Sequence, residues 1–157
     1  MANRVIAQDF VIETVTLSLD TVQYADGDLL AAPQAIAGIC EGGRGVILHS
    51  LSVLDKDDQG GSMEFLVTGS SVSFGTENAA YAIAQADAGA IQARVPVASA
   101  DFADYGSFRY AQYGPAATGM GGILNATGSD LYIGAISRDT KTYTAAGIVL
   151  QLRFERS

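Results

Sequence analysis

The sequence reads as an all-β chain: a single β-sandwich of about eight strands, jelly-roll-like or Ig-like, with room for one short helix. Three observations carry that reading. Apolar and polar residues alternate over short stretches, most cleanly where Ile148, Leu150, Leu152 and Phe154 interleave with Gln151, Arg153 and Glu155. Successive side chains of a strand point to opposite faces, so this pattern marks one buried face. Turn-forming runs punctuate the stretches, at Ala25-Asp-Gly-Asp28, Glu41-Gly-Gly-Arg-Gly45 and Lys56-Asp-Asp-Gln-Gly-Gly-Ser62. Between the last two of these turns lies a long run with apolar residues on both faces, the natural centre of a sandwich.

In chain order, residues 1–8 read as an N-terminal arm and 9–157 as the sandwich. Asp9 to Asp20 is the first strand, with Val11, Glu13, Val15, Leu17 and Leu19 on one face and Phe10, Ile12, Thr14, Thr16 and Ser18 on the other. Its Val and Thr suit a pleated backbone. Val22 to Tyr24 is expected to pair briefly before the turn at Ala25. Leu29 to Cys40 is Ala-rich and interrupted by Pro33, so it reads as a loop entering a short strand at Ala35 to Ile39. In the central run, Ile47, His49, Leu51 and Val53 share one face, and Val46, Leu48, Ser50, Ser52 and Leu54 share the other. A strand apolar on both faces is expected to be covered twice, by the opposing sheet and by a neighbour or partner subunit. The glycine-rich turn after Asp55 is expected to bring Met63 to Gly69 back as its antiparallel hairpin partner.

The second half repeats the pattern. Ser70 to Asn78 has no periodicity, and Ala79 to Ala88 has the helix propensity for two turns capped from Thr76 or Asn78. Ala90 to Ala98 sets Ile91, Ala93, Val95 and Val97 against Gln92, Arg94 and Pro96, and the proline points to a sheet edge. Ser107 to Tyr113 sets Phe108 and Tyr110 opposite Arg109 and Tyr113. Gly114 to Gly122 is glycine-rich and reads as the most flexible loop. Ser129 to Ser137 is a strand, Arg138 to Lys141 a turn, and Thr142 to Arg156 the last strand.

Composition limits the function. The net charge is −8, from 9 Lys and Arg against 17 Asp and Glu. Nucleic-acid binding draws on clustered cations that neutralise phosphates, and none are clustered here. No apolar run approaches the ~20 residues that span a bilayer, and the charge opposes adsorption to anionic lipid. The first residues lack the apolar region of a signal peptide, so synthesis in a cytoplasm is expected. Cys40 is the one cysteine, which rules out an internal disulfide.

The motifs point away from enzymes, cofactors and metals. Asp55-Lys-Asp57-Asp-Gln59-Gly60 begins like a calcium loop, but its twelfth position is Leu66 where a bidentate Glu is needed. It reads as a solvated hairpin turn. His49, the one histidine, reads as a packed residue with one hydrogen-bonded nitrogen. Cys40 has no neighbour that would activate a thiol. Asp101 with Asp104, or Asp57 with Asp58, lacks the apolar pocket and fixed separation of a glycosidase pair. Gly119-Met-Gly121-Gly122 lacks the spacing of a phosphate cradle. The aromatic cluster Tyr105, Phe108, Tyr110 and Tyr113 suits either core packing, a sugar platform or an interface with another protein.

Several longer stretches carry a resemblance. Ser50-Leu-Ser-Val-Leu-Asp-Lys-Asp-Asp-Gln59, the Met63 to Val67 strand, Thr76-Glu-Asn-Ala-Ala80, Asp130-Leu-Tyr-Ile-Gly-Ala-Ile-Ser-Arg138 and Thr142-Tyr-Thr-Ala-Ala146 together resemble small virion structural proteins of tailed bacteriophages. The likeness runs from about Phe10 to Phe154. It implies a decoration or cement protein on the outside of the head, partnered by the major capsid protein and by copies of itself as a dimer or trimer. It supplies no active-site residues. A tail, neck or fibre-base protein, or a carbohydrate-binding module, is the alternative. On the decoration reading, the interface residues are Arg4, Val5 and Ile6 of the arm, ordered on the lattice, together with Tyr105, Phe108, Tyr110 and Tyr113.

Overall fold

The computed structural model describes residues 9–156; the expected arm, with Arg4, Val5 and Ile6, lies outside the described residues. The strands are β1 (Phe10–Thr16), β2 (Leu29–Ile36), β3 (Val46–Asp55), β4 (Met63–Thr68), β5 (Ile91–Val97), β6 (Ala103–Asp104), β7 (Arg109–Tyr113), β8 (Ile123–Leu124), β9 (Leu131–Ser137) and β10 (Ile148–Arg156). One sheet has the order β1-β10-β3-β7-β6, with β8 also paired to β3; the other has the order β2-β9-β4-β5. All pairings between these strands are antiparallel. Among the longer strands the first pairs with the last, β2 with β9, β3 with β7, and β4 with β5. This is one long two-stranded ribbon folded over itself into two facing sheets, the order of a jelly roll rather than of an immunoglobulin sandwich.

The inward faces meet in one core. Leu17, Leu51, Val53, Phe65, Val67, Leu131, Ile133, Ile148, Leu150, Leu152 and Phe154 are all fully buried there. Each such side chain contributes about 1.5–3 kcal/mol of transfer free energy, opposed by chain entropy. The alternation at Ile148 to Phe154 therefore reads correctly, as do the inward residues Val15, Leu17 and Leu19 of the first strand region and Ala93, Val95 and Val97 of β5.

The ribbon architecture overturns the central hairpin. β3 and β4 lie in different sheets, so the chain between them is an arch across the sandwich. A ribbon that folds over must carry both of its strands to the opposite sheet, and β3–β4 is one such crossing. The faces of β3 also differ from simple alternation. Arg153 opposes Ser50 and Phe154 opposes Leu48, so His49 is an extra residue, a β-bulge. Val46 and Leu48 point inward before the bulge, and Leu51, Val53 and Asp55 after it. β4 is buried on both faces along its whole length.

The arch is not a solvated turn either. Asp55 is fully buried, and its carboxylate accepts hydrogen bonds from the backbone N–H groups of Asp57 (2.9 Å), Gln59 (2.9 Å) and Gly60 (2.7 Å). Those donors lie between two sheets with no strand to pair with, and buried N–H groups must be satisfied. Asp57 accepts from the Thr144 N–H at 2.7 Å and its hydroxyl at 2.9 Å, which ties the arch to the loop before β10. Asp58 pairs with Arg109 Nε at 2.8 Å.

Three further expectations change. β2 begins at Leu29, not Ala35, and accommodates Pro33 because it is an edge strand whose register shifts between Ala31 and Gln34, across the proline. Val22 to Tyr24 forms no strand, although the Tyr24 N–H does donate to Lys141 O at 2.9 Å. Ala79 to Ala88 forms no α-helix; a 3-10 turn spans Gln85–Ala90. Isolated short helices are marginal in water, and here Leu29 N–H donates to Ala79 O, Tyr81 N–H to Gly27 O and Ala82 N–H to Phe74 O. Those bonds hold the segment extended over the small sheet.

Two predictions follow from the arch and from the buried phenols. In Asp55→Asn one carboxylate oxygen becomes an NH2 group facing backbone donors, so urea denaturation should show a loss of about 2–4 kcal/mol. Asp58→Asn, half-exposed, should lose under about 1 kcal/mol. An unchanged midpoint for Asp55→Asn would show that the arch holds without the charge. Burial pushes the Tyr24 hydroxyl from 10.0 up to about 12. A raised folded pKa means stability is complete below pH 10 and is lost as pH rises from 10 towards 12. Melting temperatures across that range should fall less steeply in Tyr24→Phe than in wild type.

Candidate functional site

The two outer faces of the sandwich differ. On the small sheet the outward residues Leu29, Leu66 and Ile136 are buried beneath Phe74, with Val72, Ile83 and Ile91 packed against them. The chain after β4 thus covers its own sheet. Gly134 of β9 makes this cover fit, since a Cβ there would meet the Phe74 ring at 2.6 Å. At the rim of this face Glu64 is buried and ion-paired with Arg94 (2.7 Å) and more loosely with Arg138 (3.5 Å).

The large sheet has no such cover among the described residues. Its register sets the outward positions in four rows: Phe10, Glu155, Ile47 and Ile123; Ile12, Arg153 and Ser50; Thr14, Gln151, Ser52 and Gln112; Thr16, Val149, Leu54 and Tyr110. Ile12 and Ile123 are 58% and 62% exposed, which marks them as apolar groups left in water. A shallow concavity of about 180 Å³ lies between Thr14, Ser52, Leu54, Tyr110, Val149 and Gln151, with the Tyr110 hydroxyl on Ser52 Oγ at 2.8 Å. In a chain with 17 acidic residues, these rows hold one carboxylate, Glu155, at their edge. Apolar and uncharged polar groups with few acids are the composition of an interface core.

The bulge shapes one end of this face. β7 pairs with β3 as far as Leu51, and β8 pairs only with Val46 and Ile47, so His49 and Ser50 lie beside a gap between β7 and β8. A concavity of about 420 Å³ opens there, lined by His49, Ser50, Gln112, Tyr113, Pro115 and Arg153. Phe10 packs edge-on to the His49 ring at 5.2 Å, and the Arg153 guanidinium lies 4.0 Å over the same Phe10 ring. His49 Nδ1 is buried with no hydrogen-bond partner among the described residues.

The expected aromatic cluster is divided. Tyr105 is 61% exposed and stacks on Phe108 with ring centroids 5.1 Å apart. Tyr110, two residues on, lies on the bare face. Tyr113 does not join them: it packs against the core, and its hydroxyl donates to Asp101 at 2.6 Å. That bond, with the Ala98 N–H, holds the Asp101 carboxyl below the usual carboxylate range. Asp104 pairs with Arg109 at 3.2 Å. Burial pushes the Cys40 thiol up. The Gly114 to Gly122 loop closes one end of the sandwich. Gly119 has φ +83° and sits where a Cβ would strike the Arg94 carbonyl of β5, while the Gly121 N–H donates to Leu48 O of β3 at 3.2 Å. The outward residues Ile12, Leu54 and Val149 were not singled out in the sequence. Alternation marks them as outward but says nothing of whether that side is covered.

No protein-family model matches the chain, and no curated protein matches it. A solved structure titled "Structure of infectious bursal disease virus Gx strain" aligns at 14% identity with a TM-score of 0.19, over 95% of this chain and 37% of that one. At that TM-score the likeness carries no argument.

The asymmetry of the faces is directly testable. Val149→Lys places a charge on the bare face and should change stability by less than about 1 kcal/mol, because surface changes are tolerated. Leu66→Lys forces a charge beneath Phe74 and should lose about 3 kcal/mol or more. Equal losses in chemical denaturation would show that the large sheet's outer face is covered in solution.

Proposed function

We propose that this chain is a virion structural protein of a tailed bacteriophage, a decoration or cement protein on the outside of the head. In this reading the bare outer face of the large sheet docks on the major capsid protein, copies of the chain associate as a dimer or trimer, and no catalysis is involved. One observation carries it: among the described residues the chain covers one sheet and leaves the other bare, apolar in patches and poor in carboxylates. The sequence resemblance to phage head proteins supports the same reading. Jelly rolls serve in viral capsid domains and also in lectins and cupins, so the fold is compatible by analogy alone. A head protein needs a stable scaffold and a wide docking face, and this architecture supplies both without a deep pocket.

The test is to mix purified protein with undecorated expanded heads and, separately, with tails, and to count bound copies by sedimentation and electron microscopy. Regular lattice occupancy on heads is expected, with Leu54→Lys/Val149→Lys binding at least ~10-fold more weakly. Occupancy of tails with bare heads would overturn the head reading in favour of a tail or neck protein.

A further inference from the structure

We propose that the concavity beside the β3 bulge, between His49, Gln112 and Arg153, is a receptor for a carboxylate: an aspartate or glutamate side chain of the protein that docks on this face. The inference rests on the reading of the bare face as a docking surface and names the chemistry of its anchor.

Charge and hydrogen-bonding argue for the occupant. Arg94, Arg109, Arg138 and Arg156 form ion pairs, whereas Arg153, like Arg44, forms none with a described carboxylate. The Arg153 guanidinium rests over the Phe10 ring, 4.0 Å from the centroid, so less side-chain freedom is lost on binding. His49 lines the same concavity with its ring against the same Phe10, and its Nδ1 is buried with no hydrogen-bond partner among the described residues. Ser50 and Gln112 add neutral donors at the rim. Asp101, the carboxylate that Tyr113 reaches from this concavity, is occupied by the Tyr113 hydroxyl and the Ala98 N–H. A guanidinium and neutral donors beside an imidazole ring, around about 420 Å³, fit one carboxylate side chain, with its methylene stem against Pro115 and Tyr113. The gap between β7 and β8 supplies the space, and the bulge brings His49 to it.

The experiment follows the His49 and Arg153 side-chain resonances of the full chain by NMR, titrating N-acetyl-glutamate N-methylamide and, as control, the glutamine analogue. Saturable shifts at both side chains with the glutamate probe are expected, weakened ~10-fold in Arg153→Gln and ~5-fold in His49→Phe, which keeps the ring packing on Phe10. Equal response to the glutamine analogue, or no saturation, overturns the proposal. Self-association that the glutamate probe abolishes would also overturn it, by making the occupant a second copy. Head binding is measured in parallel. If the glutamate probe titrates but wild type ignores heads, the docking reading fails and the carboxylate site stands. If heads bind wild type and Arg153→Gln equally, the site is not the anchor and the proposal fails.

Discussion

A jelly roll requires its strand ribbon to pass from one sheet to the other, and every such passage strands backbone donors away from any ladder. At the β3–β4 crossing those donors are gathered by one buried carboxylate, Asp55. Burial raises its pKa, and the three N–H groups act in the opposite direction. The group is therefore a compromise: an anion in the core, tolerated because a backbone with no other partner surrounds it. Asp57 and Asp58 then fasten the outside of the arch to Thr144 and Arg109, on the loop before β10 and on β7. Three acidic residues that resemble the start of a cation loop thus spend their oxygens on the protein's own donors.

The same economy of covering explains where the molecule is closed and where it is open. The segment after β4 lies across the small sheet, with Phe74 over Gly134 as its anchor. The Gly114 to Gly122 loop bridges β5 and β3 at one end. Both tasks need backbone close to backbone, which is why small residues dominate these stretches. The large sheet receives neither cover, and its outward rows collect the exposed Ile12 and Ile123.

The bulge at His49 links core packing to this face. By inserting one residue it switches the inward positions from Val46 and Leu48 to Leu51 and Val53, and keeps both halves of β3 in the core. The residue displaced by that switch is the one beside Phe10 and Arg153. A device required for packing therefore also places the polar corner of the outer face.

The sequence by itself determined that the chain is all-β, where most strands run, and which side of β5 and β10 points inward. Those follow from alternation and turn chemistry, which act over a few residues. It did not determine that β3 and β4 part company, that Ala79 to Ala84 lies extended, that β2 reaches back through Pro33, or that Tyr113 leaves the other aromatics. Each of these depends on a partner distant in sequence: β9 beside β2, Gly27 and Phe74 holding Tyr81 and Ala82, Asp101 taking Tyr113, and β10 facing the bulge. Which outer face stays bare was decided the same way. Alternation assigns a side chain to a side of its sheet, but only the folded chain decides what, if anything, lies over it.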